Sequence, residues 1–352
     1  MSRTNSEPKT NTRTQTGVTT RKSASRKSRT TKARKVMRPK PHIVKVGTRG
    51  SPLALAQAET FSRLLESVSG GLIYCEIETY KTQGDQIQDR RLQDAGGKGL
   101  FTRELDIVQQ TSEVDVCVHS LKDVPNELAE GLVIGCYLER EDPRDALIGP
   151  YSALRDLPPG ARLGTASLRR ASQALYIRPD LEIVMFRGSV QTRLKKLQDG
   201  LADATLLAAA GLNRLGMTNQ AAGFIPVTDM IPAVGQGIVC ATIRADAPDW
   251  LKTACTAIDD NAARLAATAE RAFLKRLDGS CRTPIAGHFC LTDTGAHMVG
   301  EVLADDGSTR WWAEGVLDRT PSELDAAELG LWVAEDIAEA RNRKPEGKEP
   351  TP

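Results

Sequence analysis

No apolar stretch in this 352-residue chain approaches the ~20 residues that a membrane-spanning helix needs, which excludes an integral membrane protein. No C-x-x-C occurs. The seven cysteines are odd in number and irregularly spaced, so a secreted disulfide scaffold does not fit and a reducing compartment does. The four histidines form no H-E-x-x-H. The one cluster with the look of a metal site, His288 and Cys290 near Cys281, lacks a fourth ligand, so no metal is expected. The phosphate loop G-x-x-x-x-G-K-[ST] is missing too, because Gly99 follows Lys98 in Gly96-Gly97-Lys98-Gly99. The N-terminal stretch has no apolar core, which excludes a secretory signal.

What is present is unevenly distributed. Residues 1–40 hold 13 Lys/Arg and one acid, Glu7, so they carry +12 while the remainder sums to −10. This basic Ser/Thr-rich stretch reads as a disordered tail; a plastid-type transit peptide and a nucleic-acid-binding arm are the alternatives. A basic run alone supplies phosphate affinity without specificity, so no nucleic-acid partner is expected. From residue 43 onward, strand-like and helix-like segments alternate, the signature of a parallel α/β sheet.

Ile43–Val46 reads as a strand, followed by the turn Thr48-Arg49-Gly50-Ser51 and a helix with Ser51 as cap and Pro52 at its first position. Further strands are expected around Ile73–Ile77, Asp115–Val118, Leu132–Leu138, Ile183–Phe186 and Ala204–Leu207. Helices are expected over Phe101–Gln110, Leu168–Ile177, Val190–Leu197 and Asp249–Ile258. After Asn261 a long Ala/Leu/Arg helix, alternating strands to about Ala313 and a helix over Leu324–Arg341 suggest a smaller α+β domain. Arg49-Gly50-Ser51 and Arg187-Gly188-Ser189 are a faint internal echo, each set between a strand and a helix.

A helix N-terminus is the positive end of its dipole and favours acids. Yet Arg169 and Arg170 lie in the first turn after the Ser167 cap, Arg187 precedes a Ser-capped helix with Arg193 one turn inside, and Arg49 precedes the first helix. Five such arginines at three strand-to-helix turns point to an anion site. The candidate acid is Asp123, in His119-Ser120-Leu121-Lys122-Asp123-Val124-Pro125 at the end of an apolar strand. Beside Lys122 it should stay ionised and stabilise a developing cation; helix capping or ion pairing is the competing role. His119 reads as a packed strand-end residue. Cys281 lies in a polar Gly/Pro-bounded loop beside Arg282, which favours thiolate, whereas Cys75, Cys117, Cys136 and Cys240 read as buried strand residues.

The ordered runs Gly47-Thr48-Arg49-Gly50-Ser51-Pro52-Leu53-Ala54-Leu55, Gly96–Thr102, His119–Pro125, Glu141-Asp142-Pro143-Arg144-Asp145, Gly164–Arg170, Arg187–Leu194, Pro232–Gly237 and Gly279-Ser280-Cys281-Arg282-Thr283-Pro284 give a specific likeness. From about residue 43 to 340 the chain resembles the porphobilinogen deaminase (hydroxymethylbilane synthase) family. The resemblance implies a transferase that joins four porphobilinogen molecules, with loss of ammonia, into a linear tetrapyrrole. It implies a dipyrromethane cofactor held by thioether to Cys281. Asp123 would be the catalytic carboxylate, stabilising the azafulvenium cation formed on deamination. Arg49, Lys122, Arg169, Arg170, Arg187, Arg193 and Arg214 fall at substrate- or cofactor-binding positions, and Ser51, Ser120, Thr165 and Ser167 at hydroxyl and backbone contacts. Each pyrrole carries an acetate and a propionate, and a cleft of arginines answers that charge. Ser189 and Ala166 depart from the family pattern without removing a charged group.

The implied fold is α/β, with two periplasmic-binding-protein-like lobes joined at a hinge and a C-terminal α+β domain carrying the cysteine. The expected division is a tail over 1–40, lobe one over 41–138 with 232–257, lobe two over 143–231, and the third domain over 260–342. A monomer in the cytoplasm is expected, with a plastid as alternative if the tail is a transit peptide. Two other classes remain open on residues alone. A non-catalytic anion-binding module of the same fold would need the arginines but neither Asp123 nor Cys281, and a thiol enzyme would need a base beside Cys281.

Overall fold

The computed structural model describes residues 40–86, 99–277 and 283–343. The chain opens with β1 (His42–Arg49), α1 (Pro52–Val68), β2 (Ile73–Tyr80), the single turn α2 (Gln83–Gln86), α3 (Arg103–Gln110), β3 (Val116–Ser120) and β4 (Leu132–Tyr137). It continues through β5 (Asp145–Ile148), β6 (Arg162–Gly164), α4 (Leu168–Ile177), β7 (Glu182–Val184), α5 (Val190–Gln198), β8 (Ala204–Ala208), α6 (Ala209–Arg214) and β9 (Gly223–Ile225). Then come β10 (Val239–Arg244), α7 (Asp249–Ala257), α8 (Asn261–Arg276), the strands β11 (Ile285–Leu291), β12 (Ala296–Leu303) and β13 (Arg310–Leu317), and α9 (Glu323–Asn342).

Two five-stranded sheets share one topology. The first runs β2-β1-β3-β10-β4 and the second β7-β6-β8-β5-β9. In each, four strands run in one direction, and a strand antiparallel to both its neighbours, from elsewhere in the chain, sits between the third and the last. The chain thus crosses between sheets twice, from β4 to β5 and from β9 to β10. The duplication is real, but the Arg-Gly-Ser echo does not report it. The counterpart of β1 is β6, whereas Arg187-Gly188-Ser189 follows β7, the counterpart of β2.

The central strands are buried on both faces, so β3, β5, β8 and β10 are nearly continuous apolar runs, whereas β2 at the edge alternates buried and exposed side chains. Val44, Val46, Val116 and Val118 pack on Phe61 and Leu65 of α1 and Leu251 of α7. Leu105, Val114 and Cys117 fill the other side of the first sheet. Leu147, Leu163 and Leu206 are among the buried residues of the second. The third sheet, β11-β12-β13, is antiparallel with one face under α8 and α9. Its open face leaves Trp312 and Val316 exposed. The two helices meet closely enough that a Cβ at Gly330 would lie 2.1 Å from the Ala269 carbonyl oxygen.

β1 runs three residues beyond Val46, through Gly47, Thr48 and Arg49, where the sequence reads a turn. Parallel pairing with β2 holds this end, up to Arg49 opposite Tyr80. Strands β5, β6 and β9 have only three or four residues, too few to show an alternation. Residues 1–39, Gly96–Lys98 and Cys281 lie outside the described residues.

Candidate functional site

At the carboxyl end of β1, Arg49 leads into Ser51, whose hydroxyl accepts the Ala54 N–H and caps α1. The Arg49 guanidinium ion-pairs with Asp85, lies 3.4 Å from Asp123 Oδ2, and sits over the Phe101 ring at 4.3 Å. Asp85 is itself fixed by the Thr82 hydroxyl at 2.8 Å. Arg49 therefore holds Asp123 from one side with its own orientation locked. Asp123 ends a 3₁₀ turn, Leu121–Asp123, immediately after β3, and its carboxylate is partly exposed. That placement at the carboxyl end of a sheet is where α/β sites form. His119 is a packed residue, as its sequence context suggests, and burial pushes its pKa down to about 4.

Lys122, next in the turn, sends its ammonium to Gln236 Oε1 at 3.4 Å. Gln236 lies between β9 and β10 and donates to Pro143 O at 2.7 Å and to Asp145 Oδ1 at 2.9 Å. Asp145, at the first position of β5, is 0% exposed. It accepts Arg169 Nη2 at 2.7 Å and Arg170 Nη2 and Nε at 2.7 and 3.1 Å. Each guanidinium also reaches a backbone carbonyl through Nη1, Arg169 to Ile231 at 2.7 Å and Arg170 to Leu206 at 2.9 Å, while Arg169 Nε is buried with no hydrogen-bond partner. Both arginines at the start of α4 are thus braced on one buried carboxylate, behind the Ser167 cap. Two cations on one anion leave a net positive charge.

Arg187 is 7% exposed and reaches across from the second lobe to Gly84 O of the first at 3.4 Å. Arg193 donates to Gly188 O at 3.1 Å. Burial, Arg170 and Arg187 together drive its pKa down to about 10, with no carboxylate opposing them. Burial and then Arg170 lower Lys122 to about 8, against Asp123 and Asp145. Arg214 ends α6 and donates to Gly237 O at 2.6 Å. Gly237 has φ +90°, and a Cβ there would meet Glu141 O at 2.3 Å, so the two crossovers touch backbone to backbone. A cleft whose cations depress one another is an electrostatic vacancy for carboxylates.

The hydroxyl residues are placed around the same turns. The Thr165 hydroxyl accepts the Ser167 N–H at 3.1 Å, and Ser120 Oγ accepts from Gln57 Nε2 at 2.8 Å. Ser51 and Ser167 are helix caps whose hydroxyls keep a proton to donate, whereas Ser120 already donates to Gln57 Oε1 at 3.2 Å. Sequence reasoning missed Asp85, Phe101, Asp145 and Gln236 as parts of the site. The available signal was Asp145 itself, an acid opening the apolar run Ala146-Leu147-Ile148, which only a buried ion pair explains.

Burial raises Cys75 to about 11 and Cys240 to about 12, and raises Cys117 and Cys290 as well, while a hydrogen bond with Cys255 and then burial raise Cys136. His288 is held down at about 3 by burial beside Arg140. Among the described residues no group of three or more His, Cys, Asp and Glu side chains is gathered to hold a metal. No helix among them is long and apolar enough to cross a membrane.

Comparison with known proteins meets this geometry over nearly the whole described chain. Residues 44–252 match the family model of the porphobilinogen deaminase dipyromethane cofactor binding domain, and residues 264–339 that of the porphobilinogen deaminase C-terminal domain. The porphobilinogen deaminase of Paracoccus denitrificans is 48% identical over 304 residues, covering 86% of this chain and 95% of that protein. The chloroplastic one of Oryza sativa is 46% identical over 275 residues, covering 77% and 76%. Among solved structures, a TRAP periplasmic solute binding protein from Desulfovibrio salexigens aligns at 11% identity and TM-score 0.41, covering 87% of this chain and 97% of that one.

Proposed function

The chain belongs to the porphobilinogen deaminase family, and from that premise we propose how its cleft carries out the family's reaction. It is a transferase that joins four porphobilinogen molecules, with loss of ammonia, into a linear tetrapyrrole for porphyrin biosynthesis, using a dipyrromethane cofactor. The residues fit that cofactor. Two pyrroles bring four carboxylates, and burial with the neighbouring charges of Arg170 and Arg187 lowers the basicity of Arg193, which an incoming carboxylate would restore. When bound, the cofactor supplies the nucleophilic pyrrole from which the chain grows. The proposed attachment is a thioether at Cys281.

Arg169, Arg170, Arg187, Arg193, Arg214, Lys122 and Arg49 bind the acetate and propionate groups and set the register of each ring. The N–H groups behind Ser51 and Ser167 and the hydroxyls of Ser120 and Thr165 complete the cradle. Asp123 balances the cation left at the substrate methylene as ammonia departs, its carboxylate aimed by Arg49. The observation that carries this reading is the Arg49–Asp123 pair at 3.4 Å on the rim of a cleft whose cations outnumber its acids. The sheet memberships support the division 41–138 with 232–257, 143–231 and 260–342, with the two crossovers as hinge. We place the enzyme as a cytoplasmic monomer. The basic Ser/Thr-rich tail favours a plastid as the second reading of its location.

Asp123→Asn tests the assignment. The amide keeps shape and hydrogen bonding but cannot balance a cation, so turnover should fall by at least about 10²-fold while the purified protein still carries its cofactor. Near-wild-type turnover would make Asp123 a structural residue.

A further inference from the structure

The second lobe and the third sheet enclose a cavity of about 210 Å³ that the reading of the cleft leaves unused. Tyr176 of α4, Phe224 of β9 and Leu303 of β12 contribute walls, and Arg155 and Arg310 contribute cations. Glu301 of β12 also lines it and is 1% exposed. Its Oε2 accepts Arg310 Nε at 2.6 Å. Its Oε1 is buried with no hydrogen-bond partner. A buried carboxylate oxygen left unpaired carries the full desolvation cost of a charged acceptor, and native interiors rarely keep one without a use.

The neighbours do not account for it. The Arg310 guanidinium lies over the rings of Tyr176 and Trp312, at 5.7 and 5.8 Å, and bonds one carboxylate oxygen. Arg169 is close enough to oppose the rise that burial imposes on Glu301, but its own hydrogen bonds go to Asp145 and Ile231. We infer that this cavity is a second binding site, for a small zwitterion with one flat ring. Its ammonium pairs with the Glu301 carboxylate, its ring packs on Tyr176 and Phe224, and its carboxylate faces Arg310 or Arg155. The volume is below the roughly 300–1,000 Å³ of sites for drug-sized ligands, so a single ring is the fitting size. The enzyme's own substrate, a pyrrole with an amine and two carboxylates, belongs to this class; that identity rests on the proposed function, whereas the site itself rests on its lining.

The probe is 4-(aminomethyl)benzoate, which carries the ammonium, ring and carboxylate but no pyrrole carbon to condense. Calorimetry on the cofactor-loaded enzyme should show saturable one-site binding. Glu301→Gln should weaken it about tenfold, the worth of a charged hydrogen bond. Tyr176→Ala, at a side chain 47% exposed, should also weaken it and decides the matter if the Glu301 variant folds poorly. Arg193→Leu, in the cleft, should leave it unchanged. Absence of saturable binding, or a loss in Arg193→Leu as large as in the cavity variants, overturns the site without touching the role of Asp123.

Discussion

Asp145 is the residue on which the cleft's cations depend. Its two oxygens receive four N–H groups from Arg169, Arg170 and Gln236 with no exposure to water. Asp145→Asn removes the charge and strands two buried guanidinium groups, which should cost about 3–5 kcal/mol of stability at neutral pH, read as a lower denaturation midpoint. The pH dependence has a definite sign. The arginines hold the Asp145 carboxyl below its ordinary range, so its contribution is present above the unfolded value near 4 and is lost as pH falls below that. Wild type should therefore lose stability below about pH 4, and the Asn variant should lack that component of the loss. Lys122 gives the opposite handle. With its pKa lowered to about 8, it sheds its proton as pH rises, so KM for porphobilinogen should climb above about pH 8. Lys122→Arg, always charged, should flatten that rise; an unchanged profile would remove Lys122 from carboxylate binding. The arginines at helix starts were legible one by one, because cations there contradict the dipole. Their shared partner was not, since Asp145 lies 24 and 25 residues away along the chain.

Helices were the most readable elements. Leu168–Ile177 falls where its cap and apolar spacing place it, and Ser51 and Ser167 cap as expected. Short strands were not readable: β5, β6 and β9 exist through their neighbours in the sheet, and β1 continues past its apolar run because β2 pairs with it. The close contact of α8 and α9 was equally invisible to periodicity, since a glycine in a helix normally only weakens it. Here Gly330 lets the two backbones approach. Gly330→Ala should gain helix propensity and still destabilise the protein by about 1–3 kcal/mol, the usual cost of overpacking; a stabilised variant would show that α9 can shift without loss.

The whole molecule sets a basic cleft between two sheets of one topology and ties both to a third domain. Glu270 of α8 makes that tie. It is fully buried and receives Arg140 Nη1 at 2.6 Å, Phe289 N at 2.9 Å and Gly235 N at 2.6 Å, so one carboxylate grips both crossovers and the third sheet. The chain's mildly acidic body, −10 within a chain of +2 overall, gave no hint that its interior would gather cations; local motif order did. The central claim is that this cleft exists to hold a carboxylate-rich pyrrole chain rooted on one cysteine. Intact-mass measurement of the purified protein, followed by peptide mapping, tests it most directly. A covalent two-pyrrole adduct is expected on the peptide containing Cys281, absent from Cys281→Ser and retained when Cys75, Cys117, Cys136 or Cys240 is replaced by Ala. An unmodified wild-type mass, or an adduct on a peptide lacking residue 281, would contradict it.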